Sequence, residues 1–169
     1  MKNQIRSLVI TAIFIALTYV FTAFINIQIP PGNPGGLTHL GNIPVLIAAM
    51  LFGKKTGAAV GGVGMALFDL FSPYAVWAPF TFVINALMGF TIALIVENRK
   101  KLKWYLVAVM AAIIIKVGGY YIAEGILYGN WIAPVIAIPA NTLQVVIGAV
   151  VVLPIIGRLQ IVANKFKGD

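Results

Sequence analysis

Lys116, Tyr120 and Glu124 are set four apart, which puts a cation, an aromatic ring and a carboxylate along one stripe of a helix. Asn141 and Gln144, three apart, share a face of another. With His39, Asn42 and Asn85 they form a polar set suited to a small heteroaromatic molecule: a ring to stack on, and amide, carboxylate and ammonium groups to read its substituents. The competing reading is that these side chains only satisfy one another between helices. At 1.5 Å per helical residue, Lys116 stands about 18 Å above Trp104, and Asp69 about 20 Å above Thr56. Two such charges at one depth are expected either to pair and close a pocket floor, or to leave Lys116 facing a ligand. Tyr121, Tyr74, Trp77 and Trp131 add aromatic surface at similar depth, and Tyr74 and Trp131 equally suit an aromatic belt at a membrane surface.

Other chemistries drop out. Ser7 and Ser72, the two serines, sit in no nucleophile-elbow sequence. One histidine and no cysteine leave no transition-metal set, no thiol nucleophile and no disulfide framework. Gly53-Lys54-Lys55-Thr56 resembles the end of a phosphate loop, but Ala48 stands where the first glycine belongs and the threonine comes one residue late. The chain is therefore expected to be no enzyme, to hold no cofactor or metal, and to leave any ATP hydrolysis to partner subunits.

The elements that must carry these residues follow from hydropathy and charge. Hydrophobic residues make up 61 % of the chain, charged residues 9 %, and mean hydropathy is +1.00, whereas a soluble domain carries about a quarter charged residues. Eleven of the twelve Lys and Arg residues fall in clusters: Lys2 and Arg6; Lys54 and Lys55; Arg99, Lys100, Lys101 and Lys103; and Arg158, Lys165 and Lys167. The alternate gaps, 27–40, 72–79 and 127–138, have none. This alternation is the positive-inside pattern of an all-α integral membrane protein: one bundle of six transmembrane helices, residues 1–169 as a single domain, both termini cytoplasmic. The +8 charge is thereby assigned to topology and anionic lipid, not nucleic acid.

The expected spans are 5–27, 41–52, 56–71, 79–96, 104–127 and 138–163, the first being a retained helix rather than a cleaved signal. Spans two and three are too short to cross a bilayer upright, so protein must cover their ends or the membrane must thin. A candidate cover is the loop 28–40, whose Pro30-Pro31-Gly32-Asn33-Pro34-Gly35-Gly36 cannot be helix. Polar side chains cluster in the outer halves, which predicts a pocket open outward and closed below by apolar packing. Gly57 and Gly61 are expected to pack helices within the protein; Ala12 and Ala16, also four apart, are equally suited to a partner subunit.

The chain resembles the S components of the energy-coupling factor (ECF) vitamin transporters over nearly its whole length. The resemblance rests on six spans in under 200 residues and on Ala12-Ile13-Phe14-Ile15-Ala16 as the family's AxxxA. It continues through Thr38-His39-Leu40-Gly41-Asn42-Ile43-Pro44, Leu51 to Gly57, Gly61-Gly62-Val63-Gly64 leading to Asp69, and Tyr74 to Thr81. It is closest to the branch handling hydroxymethylpyrimidine, vitamin B6 compounds and riboflavin. Val83-Ile84-Asn85-Ala86 departs from relatives that often carry a lysine-glycine pair there. The resemblance implies a substrate-binding subunit in a prokaryotic cell membrane. It would capture hydroxymethylpyrimidine or a pyridoxine-type compound outside, with 30–36 as gate. Ala12 and Ala16 would dock on a coupling subunit of the EcfT type, attached to two ABC ATPases of the EcfA type. A pantothenate- or riboflavin-specific S component, or a stand-alone small carrier, is the alternative.

Overall fold

The computed structural model describes residues 2–28 and 37–167. Among them are six α-helices: α1 (Lys2–Phe24), α2 (Asn42–Phe52), α3 (Lys54–Leu70), α4 (Ala78–Val96), α5 (Leu102–Tyr128) and α6 (Ile138–Lys167). Strands β1 (Asn26–Gln28) and β2 (Leu37–His39) pair antiparallel, Asn26 opposite His39. Short 3-10 turns, Ala75–Trp77 and Ala133–Ala137, lead into α4 and α6. Four helical stretches are long and apolar enough to cross a membrane: Gln4–Phe24, Ala75–Val96, Leu102–Tyr128 and Ala133–Lys165, with mean hydropathy from 2.0 to 2.3. Their outward faces carry exposed Leu8, Ile13, Val83, Ile114 and Val150, surface that water does not favour.

The first connection differs from expectation. A loop was expected over 28–40; instead Leu37–His39 form β2, which puts His39 on a strand. The reason is local. The Asn26 side-chain amide donates to the Thr22 and Ala23 carbonyls at 3.1 and 2.7 Å, ending α1 by satisfying its last turn. The chain then extends, and Leu40 N–H donates to the Ile25 carbonyl at 3.1 Å, so β2 is tied back before Gly41 turns into α2. A Cβ on Gly41 would lie 2.1 Å from Thr22 Oγ1. The expected gate, Pro30 to Gly36, lies outside the described residues.

α2 is short because it is interior. Nine of its eleven residues are buried, and it packs against α1, α3, α4 and α6. This short helix is thus surrounded by other helices of the bundle. Gly53 joins α2 to α3 with φ +89° and ψ −173°, a combination nearly confined to glycine. α3 then crosses α4 at backbone contact: a Cβ on Gly57 would meet the Gly89 carbonyl oxygen at 2.7 Å, and one on Gly61 the Asn85 carbonyl oxygen at 2.3 Å. The glycine spacing therefore packs helices inside the protein, as expected for small residues four apart. Val45, Leu46, Met50, Val60, Met88, Ile92, Val145 and Val152 fill the interior below the polar end. At the basic end Lys54 Nζ meets Glu97 Oε2 at 2.9 Å, and the Arg99 guanidinium lies 4.0 Å from the Trp104 ring centre.

Candidate functional site

A cavity of about 50 Å³ opens at the end of the bundle opposite the basic loops. α5 contributes Lys116, Tyr120 and Glu124, the stripe read from their spacing, and α6 contributes Asn141 and Gln144. α3 brings Met65, Phe68 and Asp69; the turn before α4 brings Tyr74 and Trp77. Thr22 of α1, His39 of β2 and Thr81 of α4 complete the wall. Five of the seven residues expected to bind substrate therefore line one cavity: His39, Tyr120, Glu124, Asn141 and Gln144.

The other two, Asn42 and Asn85, stand behind the wall and hold its residues in place. Asn85, fully buried, donates through Nδ2 to the Thr81 carbonyl at 2.9 Å and to the Tyr120 hydroxyl at 3.2 Å. The Tyr120 hydroxyl also lies 3.0 Å from Thr81 Oγ1. With its oxygen so engaged, Tyr120 offers the site mainly its ring. Asn42, also fully buried, accepts a hydrogen bond from Lys116 Nζ at 3.3 Å. That nitrogen sits 5.7 Å from the Tyr120 ring centre, where a cation gains from the aromatic face.

Asp69 and Lys116, expected either to pair or to leave Lys116 facing a ligand, come to the same cavity. Both line it, but no direct ion pair forms between them. The physical reason is competition, since the ammonium reaches an amide oxygen of α2 instead of the carboxylate of α3. Asp69 faces the Thr81 hydroxyl.

His39 is fixed by its own turn: Gly41 N–H donates to Nδ1 at 3.2 Å, which requires an unprotonated Nδ1 and leaves Nε2–H as the donor. Burial, and after it the Lys116 ammonium, hold the imidazole well below its usual 6.5, so it is neutral. Among the buried side-chain atoms with no hydrogen-bond partner are Glu124 Oε2, in a residue 1 % exposed, Thr38 Oγ1, and the second amide atoms of Asn42 (Nδ2) and Asn85 (Oδ1). Buried polar atoms in native proteins rarely stay unpaired, and of these Glu124 Oε2 belongs to a residue of the cavity wall.

Sequence reasoning missed Thr22, Met65, Phe68 and Thr81 as lining residues. Thr81 could have been found, because it precedes Asn85 by one helical turn. Thr22, Met65 and Phe68 carry no signal beyond being ordinary helix residues. Ala12 and Ala16 lie exposed on α1, remote from the cavity.

Comparison with known proteins agrees with this architecture. The family described as ECF-type riboflavin transporter, S component, matches residues 2–161. A thiamine precursor transporter, HmpT, of Lactococcus lactis subsp. cremoris (strain MG1363) is 30 % identical over 169 residues, 98 % of this chain and 96 % of that one. An uncharacterised protein of Pyrococcus woesei is 33 % identical over 110 residues, 65 % of this chain and 72 % of its own length. Among solved structures, the S component of a bacterial ECF transporter superposes with a TM-score of 0.71 at 24 % identity, covering 99 % of this chain and all of that one. An all-helical chain with four membrane-length helices, a polar cavity at the end away from its basic loops and a family match across 2–161 belongs to the S components of ECF-type transporters.

Proposed function

We propose that this S component captures hydroxymethylpyrimidine, or a pyridoxine-type compound of similar size, from outside the cell. The observation carrying the reading is the cavity itself. An aromatic face, Tyr120, is bordered by Glu124, Asn141 and Gln144, with a donor at His39 Nε2. A substituted pyrimidine presents matching groups: a flat ring, ring acceptors, an exocyclic amine and a hydroxyl. The name of the Lactococcus relative points the same way.

In this reading residues 1–169 form one multi-pass domain of six helices in a prokaryotic cell membrane, with both termini cytoplasmic. The eleven basic residues gathered at one end support that orientation. The exposed Ala12 and Ala16 face docks on the coupling subunit, which two ABC ATPases drive, and 30–36 gates the cavity. The test is equilibrium titration of detergent-purified, ligand-stripped protein with hydroxymethylpyrimidine, pyridoxine, pyridoxamine, pantothenate, thiamine and riboflavin. Tight binding of a one-ring base, lost in Asn141→Ala, is expected. Ala12→Leu with Ala16→Leu should keep that binding while abolishing uptake in cells that hold the coupling module. A folded protein that binds none of the panel, or prefers riboflavin, overturns the assignment.

A further inference from the structure

The charges around the cavity do not balance. Two carboxylates, Asp69 and Glu124, line it with one ammonium, Lys116, which touches neither. Asp69 faces the Thr81 hydroxyl, which leaves Glu124. Its side chain is 1 % exposed and Oε2 has no partner. Lys116 is eight residues back on the same helix, about 12 Å along its axis, and is held by Asn42.

The groups around Glu124 bring it no cation. Its own helix supplies Tyr120 and Tyr128, and the turn before α4 supplies Tyr74 and Trp77. α6 offers the neutral amides of Asn141 and Gln144, and β2 the neutral imidazole of His39. Thr81 of α4 carries no charge. A carboxylate withdrawn from water without a cation is costly, and a ligand that brings positive charge removes that cost.

We propose that Glu124 selects the occupant by charge: a heteroaromatic base bound with its ring nitrogen protonated, the ring N–H donating to Glu124. This rests on the vitamin-capture reading and narrows it to basic pyrimidines and pyridines. The added proton comes from water, and the ring leaves as the neutral base when the proton returns. A charge-assisted N–H to carboxylate bond is roughly twice as strong as a neutral one. Anionic cargo such as a carboxylate or a phosphate ester is rejected by the same group.

Protonation changes the ultraviolet spectrum of a pyrimidine ring, so the bound species can be read directly. The full chain in detergent, loaded with hydroxymethylpyrimidine at pH 7.5, should give the difference spectrum of the protonated ring. Glu124→Gln should give the neutral-ring spectrum and at least tenfold weaker binding. An aminobenzyl alcohol of the same shape without ring nitrogens should bind the unmodified protein at least tenfold more weakly than the pyrimidine. A neutral-ring spectrum in the unmodified protein, or equal affinity for the carbocycle, overturns the proposal while leaving vitamin capture intact. No binding of any ring compound overturns vitamin capture itself.

Discussion

The Asn42–Lys116 contact gives a quantitative prediction. Both side chains are at most 1 % exposed, and the ammonium reaches the amide oxygen at 3.3 Å. A hydrogen bond to a charged group contributes about 1.5–3 kcal/mol, and a buried ammonium stripped of its acceptor forfeits that amount. Asn42→Leu removes the acceptor and leaves the charge. At about 2–4 °C per kcal/mol for a chain of this length, the apparent Tm should fall by about 3–12 °C. In Lys116→Met no charge remains to be satisfied, so adding Asn42→Leu should cost about 1.5–3 kcal/mol less than it does alone. The assay is thermal unfolding of the four proteins in one detergent, followed by circular dichroism. Effects that add to within about 0.5 kcal/mol would refute the idea that α2 anchors the cation, and would return Asp69 as its partner.

Two further outcomes are expected. Gly89→Ala should destabilise the protein by at least about 1–3 kcal/mol, because its Cβ would sit 2.1 Å from the Gly57 carbonyl oxygen, while Gly118→Ala, which meets nothing within 4 Å, should be neutral or gain about 0.5–1 kcal/mol; thermal melts of the pair check both. His39 gives a pH dependence: with its folded pKa below 6.5 the unfolded chain binds the proton first, so stability is full above about 6.5 and declines as pH falls below it. His39→Gln should flatten melting temperature against pH in that window, and an unchanged slope would place the dependence elsewhere.

Much of the site was legible because membrane helices make polar side chains rare. Lys116, Tyr120 and Glu124 stood out by spacing alone, and α5 positions all three on the cavity. Glycine spacing likewise pointed to close packing of α3 inside the protein, though not to α4 as the helix it meets. The helical membrane class could be read, and so could the shortness of the second and third spans, but the enclosure of α2 by protein could not. α2 is apolar on every side, and such a segment is equally compatible with lipid or protein around it. The strand pair was hidden for a different reason: β1 and β2 have three residues each and owe their form to tethers at Ile25 and Asn26, not to periodicity. The distinction between Asn42 and Asn85 as supports and Asn141 as lining was also out of reach, because it depends on helix rotation within the bundle rather than on depth.

The enclosure of α2 bears on permeability. A conduit through the bundle would have to pass this helix, yet nine of its eleven residues are buried and the interior beneath the cavity is filled by Val45, Leu46, Met50, Ile92, Val145 and Val152. Among the described residues these side chains are apolar, so directly beneath the cavity they offer neither water nor an ion a partner. The cavity is a cul-de-sac. A membrane can therefore hold many copies of this protein, loaded or empty, without short-circuiting its ion gradients, and supply of the cargo can be raised by making more capture subunits without cost in leakage.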